Sequence, residues 1–188
     1  MSADFFYMTS INPLAVPLER ALADSEQLKT RVYQAEDAGI PLPDMVSRAR
    51  LVDEGRYVYR WEQSCGLRHH TTSSIRYYRL VFVETSGQHN VSTRDMLGIN
   101  GLHRTIGHAS LVELVRFFML HHKVAMEFLR RGKTFAGIGY DMFRSSYDTY
   151  PEITLNENGA PALRERRLSF GTSWSANHIL LMRADPAT

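Results

Sequence analysis

The sequence has a single cysteine, Cys65, so no disulfide can form within the chain. Proteins without disulfides are typical of reducing compartments. The longest apolar segment, residues 110–132, carries too many charges to cross a bilayer. The first residues show no basic region followed by an apolar one, as a signal peptide would require. We therefore expect a cytoplasmic protein with no membrane partner.

The sequence also lacks an excess of charge of one sign. It contains 22 Lys and Arg against 20 Asp and Glu, for a formal net charge of +2. This balance permits an acidic partner but does not require one. The chain has 188 residues, the usual size of one domain, and shows no internal repeat or low-complexity tract. We expect residues 1–188 to form a single domain.

The catalytic motifs tested are absent. Residues 132–134 (Gly-Lys-Thr) match the end of a phosphate-binding loop, but Glu127 stands where that motif needs its first glycine. Residues 137–139 (Gly-Ile-Gly) lack the third glycine of a dinucleotide-binding turn. No paired Cys-x-x-Cys, His-Glu-x-x-His or Gly-x-Ser-x-Gly occurs. The sequence therefore predicts no cofactor and no metal, and leaves open whether the protein is an enzyme.

The clearest element is a helix over residues 110–132. Ser110 and Glu113 have the spacing of a capping box, in which each side chain bonds the other residue's backbone N–H. Gly132 can adopt the left-handed conformation that ends a helix. Charged residues share a narrow face, and a broad apolar side has Phe118 near its centre. We predict one long helix that forms a wall of the core.

The other patterns place helices and strands around it. An Asn158-Gly159 pair between strand-like runs is the strongest local hairpin signal and predicts a two-residue type I′ turn. The remaining segments are helices over residues 17–38 and 44–54 and strands over residues 56–62, 75–84 and 177–183. This order predicts an α+β fold with N-terminal helices, an antiparallel sheet and one long helix packed on the sheet.

Arginine and aromatic residues interleave in two of the predicted strands. Bases stack on aromatic rings while arginines hold phosphates, so a sheet face of this type can bind single-stranded nucleic acid. The alternative is that one aromatic face belongs to the core and the arginines solvate the other. The candidate ligand-binding residues are Arg56, Tyr59, Arg60, Trp61, Arg76, Tyr78 and Arg79.

Arg104 is a further candidate for anion binding. It lies in a glycine-bounded segment that leads directly into the long helix, where free backbone amides and the positive end of the helix dipole attract anions. Its guanidinium group could hold a phosphate or carboxylate. The alternative is a surface arginine, or one paired with Asp95 or Glu113.

Histidines offer a different chemistry. His103, His108 and His122 come from separate segments, and histidine exchanges protons near neutral pH. A hydrolase or nuclease could use His103 or His108 with Arg104, and this hypothesis requires His70, His103 and His122 to line one pocket with Arg104. The alternative is that histidines on the apolar flank of a helix are hydrogen-bonded residues of the core.

Taken together, the patterns favour a non-catalytic binding protein for an anionic ligand, with nucleic acid as the leading candidate. A histidine-dependent hydrolase or nuclease is one alternative. An accessory or inhibitory protein that acts through protein–protein contacts is the other.

Overall fold

The computed structural model describes residues 32–36, 39–59, 75–83, 91–92, 108–138, 149–167 and 173–184, with residues 91–92 described by their backbone alone. Its helices are α1 (Leu42–Arg48), α2 (Leu111–Leu120) and α3 (His122–Arg130). Its strands are β1 (Val32–Glu36), β2 (Val52–Asp53), β3 (Ile75–Phe82), β4 (Val91–Ser92), β5 (Thr134–Ala136), β6 (Thr149–Leu155), β7 (Pro161–Arg167), β8 (Ser173–Trp174) and β9 (His178–Ala184). No helix among these residues is long and apolar enough to cross a bilayer.

Seven strands form one sheet in the order β1-β3-β9-β5-β6-β7-β2, and β4 pairs with β8 in a second sheet. The α+β class is confirmed, but the predicted antiparallel sheet is wrong. The β5–β9 and β2–β7 pairs are parallel, while the other pairs in the large sheet are antiparallel. Alternating hydrophobicity marks a strand but does not reveal its direction, because parallel pairing depends on a crossover elsewhere in the chain.

The helix predicted over residues 110–132 starts as expected. Ser110 Oγ accepts a hydrogen bond from the Glu113 N–H, at 3.3 Å, and a Glu113 carboxylate oxygen accepts one from the Ser110 N–H, at 2.9 Å. Gly132 has φ +75° at the far end. The single long helix is wrong, however, because His121 (φ −113°, ψ 34°) divides it into α2 and α3. At this break the His121 side chain hydrogen-bonds the Gln34 carbonyl of β1, at 2.9 Å.

The core lies mainly on the side of the sheet covered by α2 and α3, which we call the helix face. Phe117, Phe118 and Phe128 surround Phe135 of β5, with ring centroids 6.0–6.4 Å from it. The other side, which we call the opposite face, has a smaller cluster that includes Trp174. Because α2 is buried around most of its circumference, it is the central helix of the described fold.

Two N-terminal predictions need correction. Residues 32–36, placed at the end of a helix over residues 17–38, form strand β1, in which Tyr33 and Ala35 are buried and their neighbours are more exposed. Residues 17–31 lie outside the described residues. The helix predicted over residues 44–54 is confirmed in part, since α1 ends at Arg48 and strand β2 follows it.

The strand predicted over residues 56–62 is also wrong where the chain is described. A 3-10 turn covers Glu54–Arg56, and residues 57–59 are helical. Gly55 and Arg56 have φ of 69° and 54°, so the backbone turns sharply after β2. The Asp53 carboxylate then accepts a hydrogen bond from the Val58 N–H. This turn and cap override the strand preference of the aromatic residues.

The hairpin between β6 and β7 is confirmed, but its turn type is not. The loop spans residues 156–160, because Leu155 pairs with Pro161. Asn156 accepts a backbone hydrogen bond from Gly159, and its side chain accepts others from Asn158 and Ala160. In this loop only Gly159 has positive φ, at +72°, whereas a type I′ turn needs two such residues. The Asn156 side chain favours the longer loop.

Candidate functional site

The structure describes only part of the predicted site. Arg60, Trp61, His103 and Arg104 lie outside the described residues, as does His70, so their roles stay predictions. The convergence of histidines with Arg104 in one pocket stays a prediction for the same reason. The other candidates are two histidines, His108 and His122, three residues of β3 and two residues at the turn after β2.

The two described histidines of the proposed catalytic set do not lie together. His108 forms a bridge with Met182, whose side chain belongs to the cluster on the opposite face. The His122 ring lies 5.5 Å from that of Phe118, on the helix side. Burial lowers the pKa of His122, and the nearby charges of Arg50 and Arg130 lower it further. The sheet therefore separates these two histidines.

Strand alternation divides the candidates on β3 between the two faces of the sheet. Arg76 and Tyr78 point to the helix face, whereas Arg79 points to the opposite face. Tyr78 pairs with Arg183 of β9, which brings a second arginine to the helix face beside Tyr78. Glu113 in the first turn of α2 contacts all three of these helix-face side chains. We call Glu113, Arg76, Tyr78 and Arg183 the Glu113 cluster.

Hydrogen bonds hold this cluster closely. Arg183 donates from Nε to Oε1 of Glu113, at 2.9 Å, and from Nη2 to Oε2, at 2.7 Å. This is the two-pronged geometry in which arginine binds carboxylates most strongly. The Tyr78 hydroxyl donates to Oε1 at 3.2 Å. Arg76 Nη1 lies 3.8 Å from the same oxygen, which is within ion-pair distance but too long for a hydrogen bond.

The cluster contains a charged carboxylate and a neutral phenol. Burial opposes ionisation of Glu113, but the hydrogen bonds and charge of Arg183, the Ser110 N–H and the charge of Arg76 together lower the pKa of Glu113. Burial raises the pKa of Tyr78, and the negative charge of Glu113 raises it further. The Tyr78 ring is fully buried, so it does not offer a face on which a base could stack. Tyr78 therefore acts here as a hydrogen-bond donor to the carboxylate.

Glu113 also changes how the start of α2 should be interpreted. The sequence suggested that free amides there would attract an external anion. In the structure, the Glu113 carboxylate occupies part of that position and accepts from the Ser110 N–H. The positively charged groups that stay partly exposed in this cluster are the guanidinium groups of Arg76 and Arg183, whose side chains are 45% and 33% exposed. Arg183 was missed by the sequence analysis, because only the β3–β9 register places it beside Tyr78.

Arg79 lies on the opposite face of β3, in a more open environment. It is exposed, the neighbouring Tyr77 on the same face is half-buried, and Ile75 is 54% exposed. These three side chains follow each other at every second position of the strand. This row gives a guanidinium group and one partly exposed ring, separated by the sheet from the Glu113 cluster.

The last two described candidates are Arg56, which ends the turn after β2, and Tyr59, which lies in the helical residues that follow it. Arg56 is exposed and has a left-handed backbone. Tyr59 lies at the rim of a cleft of about 250 Å³, whose other lining residues are Pro43, Val46, Asp53 and Val58. The next carboxylate, Glu54, forms a two-pronged ion pair with Arg164, which lowers the pKa of Glu54. This region is not part of the Glu113 cluster.

Within the described ranges, no group of three or more His, Cys, Asp and Glu side chains is arranged to hold a metal ion. Comparison of the chain with protein-family models, with curated proteins and with solved structures finds no significant match.

Proposed function

We propose that the protein is a non-catalytic binding protein for a phosphate-bearing ligand, with single-stranded nucleic acid as the ligand class and Arg76 as a phosphate contact. The observation that supports this is the Glu113 cluster. Two partly exposed guanidinium groups there share one buried carboxylate, which leaves the three charged side chains with a formal charge of +1.

The geometry gives the two arginines different tasks. Arg183 uses two of its nitrogens to hold Glu113 and is thereby fixed in place. Arg76 is more exposed and has no hydrogen bond to the carboxylate, so its donors can turn toward a phosphate oxygen. A guanidinium group fits phosphate oxygens well because of its fixed fork of N–H donors. Phosphate binding to Arg76 would leave the Arg183–Glu113 contact intact.

The position along the chain is consistent with this proposal. The segment that contains Arg104 leads into Ser110, which caps α2 beside Glu113. Arg104 itself remains a predicted contact. A nucleic-acid strand, unlike a single phosphate, can span several such contacts, and each contact releases a counterion from the strand, which adds to the affinity.

The test compares Arg76→Gln with Arg79→Gln. Each substitution removes one positive charge from β3, so both variants have the same net charge. The charge is removed from the helix face of the sheet in Arg76→Gln and from the opposite face in Arg79→Gln. Binding of fluorescent single-stranded RNA and DNA is followed by anisotropy over a range of salt concentrations. We expect Arg76→Gln to weaken binding roughly three- to tenfold and to reduce the salt dependence by about one phosphate contact, while Arg79→Gln has little effect.

Two results would count against the proposal. Absence of binding by the native protein at low salt would remove nucleic acid as the ligand. A loss of affinity in Arg79→Gln but not in Arg76→Gln would move the interface to the opposite face of the sheet. Thermal unfolding of both variants verifies that weaker binding does not reflect loss of the fold.

A further inference from the structure

The cleft beside β2 has a carboxylate in otherwise mainly apolar walls. Val46 and Val58 are buried, Pro43 is exposed and Asp53 is half-buried. Tyr59 is 56% exposed at the rim. The cleft lies at the β2 edge of the sheet, whereas the Glu113 cluster lies on β3 and β9. The two places are therefore separate sites.

Asp53 accepts a hydrogen bond from a single donor among the described residues. Its two carboxylate oxygens each lie 3.2 Å from the same donor, the Val58 N–H. An ionised carboxylate has about four lone-pair positions, and one shared N–H uses only part of them. Among the described side chains, no Lys, Arg or His forms a salt bridge with Asp53, whereas neighbouring Glu54 is paired with Arg164.

The shape of the cleft limits what could supply the positive charge. Its volume of about 250 Å³ is below the roughly 300–1,000 Å³ of pockets for drug-sized ligands, so it suits a group the size of one side chain. Exposed Pro43 and the small uncovered parts of Val46 and Val58 give a short alkyl chain an apolar surface, and the ring of Tyr59 can attract a cation. Because the Val58 N–H is equidistant from both oxygens, it occupies the position where the fork of a guanidinium would bind. A compact ammonium group fits the remaining lone pairs better.

We propose that this cleft binds an alkylammonium group, with the ammonium on Asp53, the chain against Val46 and Val58, and Tyr59 over the cation. The ligand is a primary amine or the side chain of a lysine, which share this chemistry. This site is independent of the proposed nucleic-acid interface.

The test uses n-butylammonium as the probe and two-dimensional amide NMR as the readout. Asp53→Asn removes the charge but keeps an oxygen that can accept from the Val58 N–H. Asp44→Asn is the matched control, since Asp44 is an exposed carboxylate on α1 that does not line the cleft. We expect saturable shifts at the Val46 and Val58 amides and about tenfold or more weaker binding in Asp53→Asn, with no change in Asp44→Asn.

Neutral n-butanol and a capped lysine complete the experiment. Butanol should bind more weakly than n-butylammonium, because it lacks the charge that Asp53 recognises. Tighter binding of Nα-acetyl-lysine methylamide than of n-butylammonium would assign the cleft to a lysine of a protein partner, and the reverse order would assign it to a free amine.

Three results would each overturn the proposal. They are equal binding by native protein and Asp53→Asn, butanol binding as tight as that of the amine, and absence of saturable shifts. Asp53→Asn should leave nucleic-acid binding unchanged, so failure of one proposal is distinguishable from failure of the other.

Discussion

Glu113 and Asp53 each accept a hydrogen bond from a backbone N–H near the start of a helical segment, but their surroundings differ. Glu113 is buried, with a two-pronged arginine and a tyrosine hydroxyl on its oxygens. Asp53 lies in a cleft and is half-buried, with a single N–H shared between its oxygens. The comparison shows that a carboxylate that accepts a backbone hydrogen bond near a helical segment can be paired with arginine inside the fold, as Glu113 is, or can lack a salt bridge to any described side chain, as Asp53 does.

The largest effect should follow from removing the charge of Glu113. In Glu113→Gln the Arg183 guanidinium loses its charged partner, and we expect a loss of about 3 kcal/mol in the free energy of unfolding, measured by chemical denaturation. Glu152→Gln is the matched control, since Glu152 is also buried but is bound by one nitrogen of Arg166, whose side chain is 51% exposed. We expect Glu152→Gln to lower the free energy of unfolding by about 1 kcal/mol. Similar losses in the two variants would contradict the special role of the two-pronged contact.

The second prediction concerns acid. Because the pKa of Glu113 in the fold lies below its ordinary value of 4.5, the ionised carboxylate stabilises the fold at higher pH. This contribution should decline as the pH falls below 4.5 toward the lowered pKa. The difference in melting temperature between the native protein and Glu113→Gln should therefore be constant near neutral pH and should shrink on acidification. A difference that is independent of pH would show that the charge of Glu113 is not the cause.

The smallest effect should come from Asp53. Asp53→Ala removes the acceptor for the Val58 N–H and should cost about 1 kcal/mol, as loss of a helix cap does. Asp53→Asn keeps an acceptor and should cost a few tenths of that amount. Thermal and chemical unfolding measure both. If Asp53→Asn were as costly as Glu113→Gln, the charge of Asp53 would be needed for folding and the contrast between the two carboxylates would fail.

The parts of the fold that depend on adjacent residues could be predicted from the sequence. The Ser110–Glu113 capping box is one example, and the strand through Arg76 and Tyr78 is another. In each case a short pattern contains the physical cause, whether a cap or side-chain alternation. The hairpin after β6 was also found, but its turn type depended on Asn156, two residues before the Asn-Gly pair.

The parts that depend on distant residues could not be predicted. The helix break at His121 accompanies a contact with Gln34, which is far away in the sequence. Arg183 joins the candidate site only because β9 pairs with β3 in one particular register. Aromatic residues 57 and 59 suggested a strand, but the cap on Asp53 and two left-handed residues before them favour a helical turn. In the first two cases a residue far away in the sequence is involved, whereas in the third a side-chain hydrogen bond between residues five positions apart outweighs the strand pattern.

Strand β9 has a consequence for the order in which the fold can assemble. It lies between β3 and β5, so it joins β1 and β3 to the strands β5, β6, β7 and β2. A ribosome makes all of those strands before it makes β9. Until β9 emerges, β3 and β5 have no shared neighbour, and each exposes an edge that another chain could pair with. Before β9 is in place, the other strands of the large sheet can pair only as two separate pieces, β1 with β3 and β5 with β6, β7 and β2, and β9 is the strand that covers the exposed edges of both.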